Sequence, residues 1–584
     1  MKKLFQHSEL RNAILKNAST IRNAFIFTLI ANLLSLAPVG YMKDVYGPVL
    51  NSRSETVLLV VTLLLVGFLV ISGFLEWVRF RMMQAVAVGF NESMGQRVFQ
   101  ASYKSYLHSR SPTARLALQD LKTIRSFLSS PGMLAILDTP ISIFFIALVY
   151  LIHPRMGVVT VSAVALLVLI AYWTELTVRP SVKEAQKANA KAQLYVADGA
   201  GNAQTIHAMG MMNAVQSKWE LIQREHIEKM AEATRSQSLG STLSKFIMIG
   251  QGSVVLGLGC WLTLMGELPD GGGAMIIASI IGGRAIQPMV KLIGSWKTIV
   301  TAGDAFSRLD EFLSENPEPI AAMKLPAPRG VLHVDNLNAR APGSKTIILS
   351  NVTFSLKQGM CLAVMGPSGS GKSSLARLLV GVWPSLSGSI RLDDVDIYSW
   401  SKDELGSYLG YLPQDIELLE GTIADNICRF GEIQQDKLSK AIELVGLSSF
   451  IESLPDKFNT QVGEDGTVFS GGQRQRLGLA RAIYGDPKFI VLDEPNANLD
   501  IQGTQALYKI LQYLKEINTT VVVVTHKKDI LKYADRMLVM KGGKPKIFGP
   551  RDLVLEKLAG KEVKSITAEQ ASKITPKQLK HEQD

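Results

Sequence analysis

The sequence predicts a membrane α-helical bundle of six transmembrane helices with long cytoplasmic extensions, followed by a soluble α/β domain with a largely parallel sheet. Three observations predict it. The first half of the 584-residue chain holds charge-free stretches of bilayer length. The second half alternates short β-branched runs with helical segments. A content of 47% hydrophobic against 19% charged residues is too apolar for disorder, and the length exceeds one ordinary domain.

Taken in order, residues 1–22 form a basic, cytoplasmic amino-terminal segment carrying Lys2, Lys3, Arg11, Lys16 and Arg22. A transmembrane domain is expected over 23–318. Its charge-free runs are Asn23 to Met42, Thr56 to Leu75, Thr139 to Pro154, Met156 to Thr174 and Phe246 to Gly266. Gly271 to Val290 makes a sixth, interrupted only by Arg284. A bilayer takes about 20 helical residues. The third run is short, but the uncharged Ser126 to Leu137 before Asp138 lets that helix start earlier. No small-residue cleavage pattern follows the first run, which excludes a signal peptide.

Orientation follows from Lys and Arg near the spans. The segment Arg79 to Arg125 carries eight of them, whereas Lys43 to Arg53, His153 to Arg155 and Glu267 to Gly273 are short and poorer in positive charge. The former is therefore cytoplasmic and the latter three face outward. Phe80 to Ser130 and Pro180 to Ser244 are rich in helix-favouring residues, so the spans are expected to continue as helical stalks. Arms of about 25 residues would project roughly 37 Å.

The stretch Leu325-Pro-Ala-Pro-Arg-Gly330 marks a join, placed at 319–330. From 331 to 555 the runs Val331 to Val334, Cys361 to Met365, Phe489 to Leu492 and Val521 to Thr525 read as strands between helices, hence an α/β domain. The tail 556–584 is Lys- and Glu-rich, a solvated helix or disordered end. The net charge of +11, from 62 Lys+Arg and 51 Asp+Glu, is concentrated in segments already assigned to the cytoplasmic side, so no nucleic-acid partner is expected. Cys260, Cys361 and Cys428 lack metal-ligand spacing and suggest neither a disulfide framework nor a zinc site.

Chemistry concentrates in the second half. An apolar strand leads into Gly366, Pro367, Ser368, Gly369, Ser370, Gly371, Lys372, Ser373 and Ser374, followed by a helix. Glycines let backbone amides turn toward phosphate oxygens and the helix start adds its positive end. Lys372 can reach the β- and γ-phosphates, and the Ser373 hydroxyl can ligate Mg²⁺. A second strand, Phe489 to Leu492, ends in Asp493 and Glu494 at the carboxyl end of the sheet. Asp493 is placed to hold Mg²⁺ through its water shell, and Glu494 to polarise the water that attacks the γ-phosphate.

Tyr411-Leu-Pro-Gln414, Val462-Gly-Glu-Asp-Gly466, Phe469-Ser470-Gly471-Gly472-Gln473-Arg-Gln-Arg, Asn498-Leu-Asp500 and Val524-Thr525-His526 complete the series. In this order, over about Gly330 to Pro550, they resemble the motifs of the P-loop ATP-binding-cassette ATPases. That resemblance implies that Gln414 senses the γ-phosphate and Mg²⁺, and that His526 contacts the γ-phosphate. It further implies that Ser470, Gly471, Gly472 and Gln473 grip ATP bound on the opposite subunit of a homodimer, and that Asp500 links the two sites. Val462 to Gly466 resembles the segment through which exporter cassettes touch their stalks. Where many cassettes carry an adenine-stacking aromatic, alignment places Ala341, or else Ala339, and modest base selectivity is expected.

Six spans and one cassette look like an exporter half-transporter. Three stretches resemble the bacterial type I secretion ATPases of the PrtD-like protease and lipase exporter group. These are Leu118 to Leu128, Pro131 to Pro140 with His153-Pro154 downstream, and Gly273 to Pro288 leading to Trp296-Lys297. The resemblance implies a multi-pass protein of the bacterial inner membrane with a cytoplasmic cassette, in contact with membrane lipid. It implies export of an unfolded polypeptide with a carboxyl-terminal secretion signal, at the expense of ATP with Mg²⁺. The implied partners are a periplasmic membrane fusion protein and a TolC-like outer-membrane channel. The alternative is an exporter of lipid or small molecules. About 22 residues before the first span leave no room for an amino-terminal peptidase domain, so leader-peptide cleavage is not expected. Arg284 either lines the translocation path, pairs with Asp138, or sits in a solvated vestibule before a late-starting sixth span. Stalk ends near Leu116 to Arg125 and Ala197 to Met211 are expected to carry cassette motion to the spans.

Overall fold

The computed structural model describes residues 8–109, 112–268, 272–318, 324–344, 346–463 and 469–558. It separates into two compact units, one made almost wholly of residues before Pro319 and the other of Pro319 onward.

Among the described residues of the first unit, six helices are long and apolar enough to cross a membrane. They are Ala18–Asp44, Glu55–Leu107, Pro131–Ile152, Pro154–Ala200, Met212–Leu264 and Gly273–Gly294, and each overlaps an expected span. The expected stalks are continuations of these helices: single helices run from Glu55 to Ser109, Pro154 to Ala200 and Met212 to Leu264. Ala197 to Met211 comprises a helix end, the short helix Ala203–Ala208 and a turn at Gly210, φ +64°. The third span does not reach back to Ser126. Ser126 to Leu128 ends the preceding helix Pro112–Leu128, and Ser130 caps the new one by accepting from the Met133 amide at 3.4 Å, with proline in the first turn. Proline lacks the amide that a helix start leaves unpaired, so Pro131 fixes the boundary there.

The motif residues of this unit have local structural duties. His153 closes one helix and caps the next, its Nδ1 accepting from the Arg155 amide at 3.3 Å, while Glu267 pairs with Arg155 at 3.1 Å. Asp120 accepts a bidentate bond from Arg308, 3.1 and 2.6 Å, and Arg308 also reaches Gln186 at 3.1 Å, tying three helices together. Burial pushes the Asp120 carboxyl up, with Arg308 pulling it back. Trp296 donates to Glu175 at 2.7 Å.

Asp138 does not pair with Arg284. Its Oδ1 accepts from Arg79 Nη1 at 2.6 Å, and both side chains are about 7% exposed. Asn32 donates to the same oxygen at 3.4 Å, and Arg79 reaches Thr28 at 3.4 Å, so the pair joins the first three spans. Arg284 lies near the middle of helix Gly272–Gly294. It lines an open groove of about 520 Å³ with Met248, Ile249, Ser253, Ser279 and Gln287. Pairing with Arg284 was one of three readings open to the sequence, and Arg79 was not among the candidates because it stands just beyond its charge-free run and reads as a loop residue. A long side chain one turn beyond a charge-free run can still reach a buried carboxylate.

The second unit is built on two sheets. The four-stranded sheet has the order β2-β1-β4-β5, all antiparallel, from β1 (Leu332–Arg340), β2 (Ile347–Leu356), β4 (Ser387–Leu392) and β5 (Val395–Asp396). The six-stranded sheet has the order β10-β9-β3-β8-β7-β6. Its members are β3 (Cys361–Met365), β6 (Leu409–Leu412), β7 (Phe489–Asp493), β8 (Thr520–Val524), β9 (Arg536–Lys541) and β10 (Lys544–Pro550). Only the β9–β10 pair is antiparallel there.

β7 and β8 are buried along their whole length, as expected of parallel strands covered on both faces. Alternation divides them between two cores. Ile490, Leu492, Val521 and Val523 pack with helices Gly471–Ile483 and Ile501–Glu516. Phe489, Val491, Val522 and Val524 pack with helix Lys372–Leu379 and the antiparallel sheet. That packing sets the ends of β3, β6, β7 and β8 side by side.

Candidate functional site

The loop Gly366 to Gly371 leaves β3 and becomes helix Lys372–Leu379, with Gly371 at its cap. A side chain at Gly366, φ +154°, would collide with the Met540 carbonyl, so only glycine lets the loop turn here. Lys372 is 6% exposed and donates to the carbonyls of Gly366 and Pro367 at 2.9 and 3.0 Å. Burial lowers its pKa, while Glu494 and Asp493 raise it. The Ser370 hydroxyl is buried without a hydrogen-bond partner.

Gln414 follows β6, and its Oε1 accepts from the Ser373 hydroxyl at 3.5 Å, a long bond. Asp493 ends β7, is 1% exposed, and its Oδ1 also lacks a partner. Burial pushes its carboxyl above the usual range, and the Ser373 hydroxyl works in the other direction. Glu494 adopts the left-handed φ of +49°, costing about 1–3 kcal/mol. Its amide donates to Val524 at 2.9 Å, and its Oε1 lies 3.3 Å from His526 Nε2, on the segment that leaves β8. The structure thus brings the phosphate loop, Gln414, Asp493, Glu494 and His526 to one end of one sheet.

The residues present fit a phosphate chain with a divalent cation. Ser373, Gln414 and Asp493 offer only oxygen donors, which suit Mg²⁺. The unpartnered Asp493 Oδ1 and Ser370 Oγ are the kind of costly buried atoms that a ligand satisfies.

Ser470 begins helix Gly471–Ile483 in a reciprocal cap: its hydroxyl accepts from the Gln473 amide at 3.3 Å, and Gln473 Oε1 accepts from the Ser470 amide at 2.9 Å. Gly472 faces the Asn498 carbonyl, which a Cβ would approach to 3.0 Å. Asp500 caps the next helix through the Gly503 amide at 2.6 Å and lies 3.8 Å from Arg476. Among the described residues no hydrogen bond joins Ser470 to Gln473 with the phosphate loop of the same chain. Glu464, Asp465 and Gly466 of the predicted stalk-contact segment lie outside the described residues.

Ala339 is 1% exposed within β1 and is unable to stack on a base, which leaves Ala341, just beyond the strand, as the residue at that position. Gln475 and Thr525 lie inside motifs quoted above but had no role assigned there, and Arg377 was not among the candidates. Gln475 is buried and donates to the Pro495 carbonyl at 3.1 Å, and Thr525 bonds Asn496 at 3.3 Å, bracing the carboxylate turn. Arg377 stacks on Trp383, 5.1 Å from the ring centre, on the helix that follows the loop. Contacts of these kinds, to a main-chain carbonyl, an amide side chain or a ring, leave no pattern in a single sequence.

A bundle of apolar helices joined to a phosphate-loop sheet with these carboxylates defines an ATP-hydrolysing membrane transporter, and the chain belongs to the ABC transporters. The ABC transporter transmembrane region matches residues 21–281 and the ABC transporter domain residues 349–497. The type I secretion system ATP-binding protein PrsD of Rhizobium meliloti (strain 1021) is 37% identical over 535 residues, 91% of each chain. The alpha-hemolysin translocation ATP-binding protein HlyB of Escherichia coli is 27% identical, over 90% of this chain and 75% of that one. In fold, a bacterial Atm1-family ABC exporter solved with ATP bound superposes with a TM-score of 0.79 at 20% identity, over 96% of this chain and 99% of that one. The type I secretion relationship therefore extends over both halves of the sequence.

Proposed function

We propose that the protein is the inner-membrane ATPase of a type I secretion system, exporting unfolded polypeptide with a carboxyl-terminal secretion signal as a homodimer. The periplasmic fusion protein and TolC-like channel would receive the cargo. The observation that carries this reading is the 37% identity to PrsD across 91% of both chains, since cargo recognition depends on the membrane half as well as the ATPase.

In this mechanism Lys372 and the loop amides from Ser368 to Ser374 bind the ATP phosphates, while Ser373, Gln414 and Asp493 would hold Mg²⁺. When bound, the cation would neutralise charge on the phosphate chain. Glu494 accepts the proton of the attacking water, and His526, 3.3 Å from that carboxylate, orients it and faces the γ-phosphate. Ser470 and Gln473 cap the helix start through each other's amides, and Gly471 and Gly472 present theirs to the nucleotide of a second copy. Closure of the two cassettes requires that ATP bind the closed state better than the open one, and the free-energy difference drives the spans.

The test is co-expression with candidate fusion and channel proteins. Polypeptide should appear in the medium with the wild type and vanish with Lys372→Ala. Export that needs no accessory protein, with ATP hydrolysis stimulated by lipid in reconstituted vesicles, would instead assign a lipid or small-molecule exporter.

A further inference from the structure

Among the described residues of the second unit, Arg429 is a cation that the ATPase motifs do not explain. Arg429 follows helix Ile423–Ile427 and, with Phe430, adopts the left-handed backbone, φ +59° and +56°. Neither residue is glycine, so the turn is strained and must be held by its surroundings. What holds it is the guanidinium. Nε donates to the Arg481 carbonyl at 3.1 Å, Nη2 to Ala482 and Tyr484 at 3.3 and 3.4 Å, and Nη1 to Leu409 at 3.0 Å and to Gly406. Five N–H donors meet five main-chain carbonyls and no carboxylate.

The identity of these carbonyls is informative. Arg481, Ala482 and Tyr484 lie at the carboxyl end of helix Gly471–Ile483, where carbonyls lack helical partners and the dipole is negative. Gly406 precedes β6, and Leu409 is its first residue. One cation therefore clamps the end of the helix that begins with Ser470 to the strand that leads to Gln414. The helix has 13 residues, about 20 Å, so a small tilt at the clamped end displaces the Ser470 end by more.

We infer that Arg429 is a positioning residue, the pivot that sets the angle between the Ser470–Gln473 helix start and the Gln414 segment. Nucleotide binding by the phosphate loop does not pass through it. Sealing of that nucleotide by the opposite copy does, and this inference rests on the homodimer reading given above.

The experiment uses the full chain in detergent or lipid nanodiscs and compares wild type, Arg429→Lys and Arg429→Met below the unfolding temperature of each. Labelled ATP binding is measured without turnover, and hydrolysis as a function of ATP concentration. The expected result is binding to the phosphate loop within about twofold of wild type, with kcat reduced at least tenfold in Arg429→Met and its ATP cooperativity lost. Arg429→Lys keeps the charge but only three donors and should fall between them. In a Glu494→Gln background, ATP-dependent cross-linking between the cassettes of two copies should weaken in the same order. A variant that lowers only the unfolding temperature, with kcat and cooperativity per folded molecule unchanged, overturns the inference. A wild type with no cooperativity and no cross-link between copies overturns the homodimer reading instead.

Discussion

Buried charge is handled in opposite ways in the two units. In the membrane unit Arg79 and Asp138 bond each other at 2.6 Å, with Asn32 and Thr28 beside them. In the cassette Asp493, only 1% exposed, keeps one oxygen unpartnered, and Lys372 is held by carbonyls of its own loop, not by a carboxylate. A buried polar atom left unpaired costs about 1–3 kcal/mol. Paired charge is consistent with fixing helices in register, and unpaired charge at the end of a sheet with a waiting ligand. Burial alone therefore does not mark the functional site, and neither does a missing partner, since Arg79 Nε and Asp304 Oδ2 are also buried without one. What sets Asp493 and Ser370 apart is that their unpartnered oxygens belong to the phosphate loop and the carboxylate end of the same sheet.

The largest effect tests whether the cassette end is catalytic at all. Glu494→Gln keeps the size of the side chain and its left-handed turn but removes the proton acceptor. Hydrolysis should fall by about 10²- to 10⁴-fold, the range general base catalysis supplies, while ATP binding persists. Phosphate release and equilibrium binding measure the two halves of that statement. Undiminished turnover would take the catalytic role from Glu494.

Neutralising one buried carboxylate in each unit sharpens the contrast, because the two changes should move stability in opposite directions. Asp138→Ala strands the Arg79 guanidinium and should cost about 3–5 kcal/mol, seen as a lower unfolding temperature in detergent, with the double change Arg79→Met and Asp138→Leu recovering most of it. Asp493→Asn removes a lone buried charge and should stabilise the ligand-free protein by about 1 kcal/mol, while abolishing Mg²⁺-dependent hydrolysis. The pH dependence has a definite sign. Burial raises the folded-state pKa of Asp493 above 3.8, so its ionisation penalty is full above the raised value. The penalty disappears as pH falls toward 3.8, and the advantage of Asp493→Asn should shrink as the medium is acidified. Equal stability changes of one sign at both positions would erase the distinction.

Legibility in the sequence followed the same divide. Six spans were readable because a charge-free run of bilayer length has few alternative fates, and Lys372, Asp493 and Glu494 because their strand and helix context is local. The antiparallel sheet was missed: β1 reads Asp335-Asn-Leu-Asn and carries bulges, so its alternation is broken. Arg79 as the partner of Asp138 was not legible, because an ion pair between residues 59 apart in sequence depends on helix packing. Arg429 was overlooked because its partners are main-chain carbonyls, which no side-chain motif encodes.

The smallest effect concerns the other end of the nucleotide. The site is rich in groups for phosphate, and the turn beyond β1 carries Ala341 at the position that the resemblance to ATP-binding cassettes assigns to a base-stacking ring. Selectivity should therefore reside with the phosphates, and GTP should be turned over within about tenfold of ATP. Ala341→Tyr places an aromatic on that turn, and base stacking is worth about 1–3 kcal/mol. Its main effect should be a KM for ATP lowered several-fold, with kcat nearly unchanged, because the base does not move during phosphoryl transfer. A change confined to kcat would mean that the turn acts on closure of the cassette, and Ala341 would then belong with the positioning residues.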